Sequence, residues 1–318
     1  MGNELVGIIR GSIKIVTVGV PFKGYAKVGY ILGLRVSPFH RRRGIGLCLV
    51  SRMEEWFMAN LVDYAYMATD KDNKASIKLF TEKLRYIEFR RPVILVNPVG
   101  HHAIHISPSI DVRRLDIAQA EKLYRRFVNA TEFFPQDIDR VLANKLSVGT
   151  WVAFPQGEAW DSVDPNVSSW AMLSVWNCGD VFKLRVGRAP WPCVLLAKVS
   201  RLISKILPCL KIPLVPDVFT AFGFYFIYGI HGEGPGAAPL VRSLCQHVHN
   251  IAMRSENCEL VVTEVAACDA YRTYIPRKLL LCSEDLWCIK SLRKTDEGVL
   301  EDWASSRPAT LFVDPREV

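Results

Sequence analysis

The stretch "RVSPFHRRRGIGLCLVSRMEEW", residues 35–56, joins an apolar run to an amphipathic pattern through a short basic turn. The run that leads into it, "GYILGLRV" (29–36), is rich in β-forming residues and predicts a buried strand. After the turn, apolar residues recur at helical spacing, with charged residues between them. The sequence therefore predicts a strand, a tight turn and a helix in immediate succession.

The turn has the composition of an anion-binding site. Three arginines, Arg41, Arg42 and Arg43, run directly into Gly44 and Gly46. Glycine lets a ligand approach the backbone, and the first amides of a helix lack partners and favour negative charge. Arginine adds bidentate phosphate donors. The pattern is neither the Walker motif nor the dinucleotide fingerprint. The simpler alternatives are a basic turn that only caps the helix and a short nuclear-import patch.

The order Val-x-Pro-x-x-Arg-x-x-Gly-x-Gly, here residues 36–46, resembles the acetyl-CoA pyrophosphate loop of the GCN5-related N-acetyltransferases, or GNAT family. Residues 72–86 are predicted as a helix after a strand at 62–70, and they resemble the second signature of that family. Phe80 stands where many members carry a tyrosine that protonates the departing thiolate. The resemblance implies cofactor contacts from Leu34, Arg35, Val36, Arg41, Arg42, Arg43, Gly44, Ile45, Gly46, Asn73, Ser76 and Phe80.

Longer phrases, among them "TEFFPQDIDRVLANKLSVGT", "YGIHGEGPGA" and "FVDPREV", resemble the plant Hookless-type N-acetyltransferase family over residues 4–318. The resemblance implies acetyl-CoA-dependent transfer to an amine or a protein lysine, with histones among the acceptors, in hormone-responsive growth. It also implies that this chain begins after the first strand and two helices of the family. We therefore expect an incomplete acceptor site and a reduced activity for this shortened form.

The same resemblance implies an α/β fold of two tandem GNAT-like mixed-sheet units, the first lacking its initial strand and helices and the second degenerate. The predicted boundaries are 1–98 for the acetyl-CoA-binding unit, 99–109 for a linker and 110–318 for a non-catalytic second unit. In the second unit, "GEGPGA" repeats the strand–loop–helix order without arginines, and Glu233 places a negative charge where phosphate would lie. The alternative is an ordinary strand–helix turn in an unrelated domain.

Catalysis requires a deprotonated acceptor, because a lysine ammonium has a pKa of about 10.4 in water. The strand that carries Leu34 and Val36 has no carboxylate near them to act as a base. Asp63 and Asp70, at the ends of the next predicted strand, are the remaining candidates for the general base. The alternative function is a non-catalytic CoA-binding regulatory protein, which the departures at Phe80 and in the second loop favour.

Composition indicates the setting and the partners. The 318 residues carry a net charge of +8 and nine cysteines without a CxxC pair, a pattern typical of an intracellular protein with reduced thiols. The sequence shows no signal-peptide pattern and no apolar run of about 20 residues. We expect a soluble protein of the nucleus, the cytoplasm or both, without membrane contact, direct nucleic-acid binding or a metal. The amphipathic run at 195–211 predicts a helix that packs on the second sheet, with membrane or partner contact as the alternative.

Overall fold

The computed structural model of the chain describes residues 4–18, 24–100, 102–161, 167–185, 220–255, 258–293 and 297–318. The predicted run 195–211 lies outside these residues. The strands are β1 (Gly7–Thr17), β2 (Tyr25–Val36), β3 (Tyr64–Asp70), β4 (Ile87–Arg90), β5 (Val93–Pro98), β6 (Ile110–Leu115), β7 (Ser147–Pro155), β8 (Trp170–Asn177), β9 (Gly223–Glu233), β10 (Cys258–Val265) and β11 (Ser283–Ser291). The helices are α1 (Ile45–Ala59), α2 (Lys74–Lys78), α3 (Ile117–Leu123), α4 (Ile138–Leu142), α5 (Ala237–Ala252) and α6 (Glu297–Ser305).

The predicted strand, turn and helix are present in the first half of the chain. β2 ends at Val36, a single helical turn covers Pro38–His40, and α1 begins at Ile45. Proline suits the first position of such a turn, because its missing N–H would have no partner there. Gly44 precedes α1 with a left-handed φ of 78°, a conformation that glycine adopts without steric cost.

The strands form one mixed sheet in the order β1-β2-β3-β11-β5-β10-β9-β8-β7-β6, with β4 paired to β11. The two halves of the chain exchange strands at its centre. β11, from the second half, pairs with β3 and β4 of the first half, whereas β5, from the first half, pairs with β10. The predicted linker 99–109 falls between β5 and β6. The division into units at 1–98 and 110–318 stays a prediction, and the exchange joins the two halves in a single sheet.

Helices α1, α2 and α5 pack on one face of the sheet. In the first half, Phe57 of α1 is fully buried beside Ile31 and Met67. In the second half, α5 buries Leu240 and Val241 against the strands. Because side chains alternate along a strand, the intervening residues form the opposite face. We call this face, which carries Tyr30, Tyr66, Trp287 and Tyr228, the aromatic face.

Two segments from the second half of the chain cover the aromatic face of the first half. The amide of Thr17 donates to the carbonyl of Phe134 at 2.9 Å, and the amide of Gln136 donates to the carbonyl of Ile15 at the same distance. The C-terminal segment is fastened to this cover by the amide of Phe312, which donates to the carbonyl of Glu132 at 2.9 Å. The outer edge of β1 is therefore paired where these residues meet. Within the described residues, no helix is long and apolar enough to span a membrane.

Candidate functional site

The basic turn presents an open surface at the start of α1. A side chain added at Gly44 would find no heavy atom within 4 Å. Arg41 is partly engaged by the strand, since its Nε donates to the carbonyl of Val36 at 3.3 Å. Arg42 has a left-handed φ of 61°, and the side chains of Arg42 and Arg43 are both exposed. Two arginines are thus free to approach an anion at this turn.

The first amides of α1 complete this anion site. No side chain caps the helix at Gly44, and its first turn contains no acidic residue. The uncapped amides and the dipole of a 15-residue helix give its start a partial positive charge. The structure therefore brings the backbone of Gly44, Ile45 and Gly46 together with the three arginines, in an arrangement that suits a phosphate group.

The ladder between β2 and β3 ends before this turn, and we call the stretch of the two strands beyond it the β2–β3 cleft. The two parallel strands pair only from Val28 opposite Tyr64 to Ile31 opposite Met67, although both continue further. Beyond that point β2 carries a bulge, because Gly33 has a left-handed φ of 63° and the register with β1 shifts there. Bulges redirect a strand and leave backbone groups unpaired. The edge of β2 at Leu34 is consequently available to a ligand lying between the strands.

The predicted residues at the end of β2 differ in how far they are exposed to solvent. Leu34 and Val36 are partly buried, and Arg35 is exposed. Leu34 packs against the core beneath α1. A β-carbon added at Gly46 would lie 3.5 Å from Leu79 and 3.8 Å from Val36, which is ordinary contact. Gly46 therefore brings the start of α1 close to the segment that follows α2.

The residues of the second signature have different positions. Asn73 caps α2, since its Oδ1 accepts the amide of Ser76 at 3.2 Å and its Nδ2 donates to Thr69 Oγ1 at 3.0 Å. Ser76 is half-buried beside this cap. Phe80 is 1% exposed and packs edge-on against Tyr86, with ring centroids 5.1 Å apart. Asn73 thus orients α2, whereas Phe80 belongs to the core and has no polar group to offer.

The two candidate general bases lie at opposite ends of β3. Asp63 precedes the strand, where its Oδ2 accepts the amide of Lys27 at 2.8 Å and its Oδ1 pairs with Arg293 at 2.5 Å. Asp70 ends the strand on the side of the cleft, and its Oδ1 accepts the amide of Asp72 at 2.7 Å. The geometry brings Asp70 near the bulge of β2 and leaves Asp63 at the far end of the sheet.

Sequence reasoning missed a carboxylate that lies directly opposite Asp70. Asp285 of β11 pairs with Asp70 in the antiparallel ladder, so both side chains lie on the aromatic face. Burial, reinforced by the charge of Asp70, raises the pKa of Asp285 to about 6. A single sequence does not show that these strands meet. The only signal was an acid beside the apolar run "LWCI".

The second half of the chain has a bulge like that of β2, but the loop that follows its strand is not open to a ligand. Gly229 of β9 has a left-handed φ of 61°, at a register shift between β8 and β9. A side chain at Gly234 would collide with the Ser168 carbonyl, and the amide of Gly236 donates to Ser169 Oγ at 2.9 Å. The backbone donors of this loop are therefore partly used within the protein. Among the residues that the structure describes, no group of three metal-binding side chains comes together.

Comparisons with known proteins identify the family of the chain. Residues 1–86 match the acetyltransferase (GNAT) family. The chain is 49% identical to the probable N-acetyltransferase HLS1 of Arabidopsis thaliana, over 99% of this chain and 84% of that protein. The chain belongs to this HLS1 family of N-acetyltransferases. A rice member, acetyl transferase GW6a, is 39% identical over 99% of this chain and 74% of its own length.

Solved structures support the fold of this HLS1 family member. Yeast N-myristoyltransferase with bound myristoyl-CoA aligns with a TM-score of 0.51 at 9% identity, over 89% of this chain and 66% of that chain. At this identity the likeness shows the fold alone. The predicted mixed α/β GNAT fold and the membership of an N-acetyltransferase family are confirmed, and an acyl-CoA is the co-substrate that this family uses.

Proposed function

We propose that the chain transfers the acetyl group of acetyl-CoA to the ε-amino group of a protein lysine. The observation that carries the proposal is the open, uncapped turn at Gly44, which follows the part of β2 that no longer pairs with β3 beyond Ile31. An extended cofactor with a phosphate group at one end and a thioester at the other matches this combination. The uncapped start of α1 suits the phosphate end, and the unpaired edge of β2 suits the thioester end.

In this proposal each part of the cofactor has its own residues. The pyrophosphate lies against the amides of Gly44, Ile45 and Gly46, with Arg42 and Arg43 as charged donors. Arg41 steadies the turn through its bond to Val36. The pantetheine arm lies between β2 and β3, where ladder pairing has ended. Asn73 and Ser76 hold α2 beside the arm, and Phe80 supports it from the core.

The acyl transfer is a direct attack within a ternary complex. The neutral amine nitrogen forms a bond to the thioester carbonyl carbon, and the C–S bond then breaks. The amine loses two protons in total, counted from its ammonium form: one reaches a general base and one reaches the departing CoA thiolate. The oxyanion of the tetrahedral intermediate is stabilised by a backbone N–H of β2 near Leu34. Water relays this second proton from the amine to the thiolate, because Phe80 has no hydroxyl.

We further propose that the carboxylate pair Asp285 and Asp70 acts as the general base through water. The pair lies on the aromatic face, one strand from the cleft. A base is most effective when its pKa is near the working pH, and a pKa of about 6 for Asp285 is closer to neutrality than that of an exposed aspartate. Asp63 is a weaker candidate because Arg293 and the Lys27 amide already occupy its carboxylate.

The test of the proposal uses two matched glycines. Gly44 and Gly157 have left-handed φ values of 78° and 86°, and both face open space. Gly44→Asp places a negative charge beside the phosphate, whereas Gly157→Asp repeats the same backbone strain elsewhere. We expect acetylation of a lysine-peptide panel, followed by mass spectrometry, to fall at least 100-fold in Gly44→Asp only. Equal activities of the two variants would contradict the proposed cofactor site.

The finer biological setting rests on the family resemblance. We propose histone lysines as the first acceptors to assay, hormone-responsive plant growth as the process, and the nucleus or cytoplasm as the place of action. The second candidate is a non-catalytic CoA-binding regulator, which the buried Phe80 at the tyrosine position favours. Calorimetric CoA binding that Gly44→Asp abolishes, without acetylation of any peptide, would support the regulator instead of the transferase.

A further inference from the structure

A second cleft opens on the aromatic face, in the other half of the sheet. The parallel strands β9 and β10 pair as far as Ile227 opposite Thr263, and the Gly229 bulge follows. At this point lies a cavity of about 170 Å³, which we call the acidic cavity. Its walls include Phe127, His231, Glu264, Asp269 and Phe312.

The two carboxylates of the acidic cavity have spare acceptor capacity. Glu264 accepts one hydrogen bond, from Trp287 Nε1 to its Oε1 at 3.1 Å. Asp269 likewise accepts the amide of Tyr271 on its Oδ1 at 2.7 Å. Within the described residues, neither carboxylate forms an ion pair. One oxygen of each is therefore available to a donor that enters the cavity.

An aromatic wall faces this acidic side. The rings of Phe127 and His231 stack with centroids 5.8 Å apart, and Trp170 packs edge-on against Phe127 at 4.9 Å. Burial lowers the pKa of His231, although Glu233 lies 3.0 Å from its Nε2 and opposes that shift. Arg126 stacks on Phe127 at 5.1 Å but does not line the cavity. Aromatic faces together with acidic side chains that form no ion pair favour a cation.

Size and charge exclude a second cofactor from the acidic cavity. Pockets for drug-sized ligands measure about 300–1,000 Å³, so 170 Å³ has room for a single side chain. A phosphate would meet Glu264 and Asp269 without a compensating cation. The adjoining loop is closed by Ser168 and Ser169, which removes the anion site that Gly44 offers in the first half.

The distance between the two clefts gives the spacing of a ligand that uses both. The sheet order places four strand spacings between the middle of the β2–β3 cleft and the middle of the β10–β9 cleft. At about 4.8 Å per spacing the separation is about 19 Å. An extended polypeptide advances about 3.3 Å per residue, so about six residues span it.

We propose that the acidic cavity binds the protonated side chain of a second lysine in the acceptor polypeptide, about six residues from the lysine that is acetylated. This inference rests on the proposed function, because the acetylated lysine must lie at the β2–β3 cleft. Burial raises the pKa of Glu264 to about 8, with Asp285 and Glu317 adding to the effect. Before a lysine binds, Glu264 is therefore mostly protonated at neutral pH. A bound ammonium would lower that pKa again, so that the carboxyl group gives up its proton to solvent when the lysine binds.

The experiment uses blocked peptides of glycine, serine and alanine that contain one acceptor lysine. A second lysine is moved from two to ten residues away on either side, and matched peptides carry glutamine there. We expect kcat/KM for acetylation to be at least tenfold higher with lysine than with glutamine at a spacing of about six residues, through KM. The preference should disappear in Glu264→Gln and Asp269→Asn and persist in Glu284→Gln, an exposed acid of β11, which β5 separates from the strand of Glu264.

Calorimetry with the same peptides, without acetyl-CoA, separates the two proposals. Lysine-dependent binding that Glu264→Gln removes, in a protein that acetylates nothing, would leave the acidic cavity assigned and overturn the transferase. Acetylation without a preference for lysine at any spacing would overturn the cavity proposal alone. A preference that survives in Glu264→Gln and Asp269→Asn combined would also overturn it.

Discussion

Gly33 and Gly229 adopt the same left-handed conformation, with φ values of 63° and 61°, at equivalent bulges in β2 and β9. In both strands, the bulge lies where pairing with the parallel neighbour ends, after Ile31 in β2 and after Ile227 in β9. In both, the register with the antiparallel neighbour shifts at that point. The two halves therefore share a backbone detail that hydrophobic periodicity does not encode, and in the second half this bulge borders the acidic cavity.

Substituting these two glycines with alanine should have unequal effects. At Gly33 an added β-carbon has its nearest neighbour, Arg10 Cδ, at 3.9 Å, so Gly33→Ala should lower the free energy of unfolding only by the conformational cost, about 1–2 kcal/mol. At Gly229 the added carbon would overlap the Tyr124 ring and hydroxyl. Gly229→Ala should therefore cost about 1–3 kcal/mol more, through overpacking.

Urea denaturation of both variants measures the difference. Gly157→Ala is the control, since it has a left-handed φ of 86° and faces open space. It should behave like Gly33→Ala. If Gly229→Ala were no less stable than this control, the inference that Tyr124 packs tightly against Gly229 would be wrong.

A buried ion pair connects the two halves and should dominate the stability of their junction. Arg90 of β4 donates twice to Glu132 at 2.6 Å, and Trp303 Nε1 donates to the same carboxylate at 2.6 Å. The side chains of Arg90 and Glu132 are 7% and 1% exposed. Glu132→Gln leaves the buried guanidinium without its counterion, so we expect a loss of about 3–5 kcal/mol in the free energy of unfolding.

The exposed pair Arg52–Glu55, with side chains 75% and 55% exposed, provides the control for this measurement. Glu55→Gln should change the free energy of unfolding by less than about 1 kcal/mol, because surface pairs are screened. Similar losses in Glu132→Gln and Glu55→Gln, measured by chemical denaturation, would rule out a structural role for the buried pair.

The hydrophobic pattern predicted where strands and helices lie along the chain better than it predicted which strands pair with each other. The strand at 62–70 and the strand–turn–helix at the basic turn were predicted close to their observed bounds. The exchange of β5 and β11 was not predicted, because an apolar run such as "VILV" indicates a strand without indicating its partner. The helix predicted at 72–86 is shorter, since α2 passes at Leu79 into a wider π-helical turn that ends at Lys83.

The candidate site was predictable only where its residues are contiguous in the sequence. The residues from Arg41 to Gly46 form one continuous turn, so their spacing in the sequence was enough to predict it. The carboxyl groups of Asp285 and Glu264 come from strands that both lie more than 200 residues away from this turn along the chain, and only the sheet order brings Asp285 opposite Asp70. The alternation of side chains along each strand does not reveal which face of the sheet these residues occupy.

The stability of the protein should depend on pH through Glu264. Burial raises its folded pKa to about 8, from an ordinary value near 4.5. A raised pKa contributes stability that is fully present below about 4.5 and is lost as the pH rises through about 8. Glu264→Gln removes this titration. Between these pH limits, the free energy of unfolding of the variant should therefore rise relative to that of the wild type, by at most about 1.4 kcal/mol per pH unit. Parallel stability–pH curves for the two proteins would contradict this.

The rate of acetylation should depend on pH through Asp285. A general base must be deprotonated to accept a proton, so kcat/KM should rise with pH up to about 6, the pKa of Asp285, and then level. Asp285→Asn should lower the plateau by about 10²–10⁴-fold and remove this rise. Asp63→Asn, whose carboxylate already pairs with Arg293, should keep the rise. A profile that Asp285→Asn leaves unchanged would exclude the carboxylate pair as the base.

The contribution of the arginine turn to CoA binding can be isolated with two arginines of the same conformation. Arg42 and Arg85 have φ values of 61° and 60°, and both side chains are exposed. Replacing either with glutamine removes one charge at equal backbone strain, but only Arg42 lies at the start of α1. Calorimetry should show that Arg42→Gln weakens CoA binding by about 1–3 kcal/mol, the range for a charge-assisted contact, and that Arg85→Gln does not.

Salt separates a phosphate contact from a change in the fold of the turn. Because exposed charges are screened within about 10 Å at 0.1 M salt, raising the salt concentration should weaken CoA binding to the wild type more than to Arg42→Gln. The affinities of the two proteins should therefore converge at high salt. A difference that is independent of salt would mean that Arg42 only shapes the turn, and equal affinities of Arg42→Gln and Arg85→Gln would reduce the arginine turn to a basic helix cap.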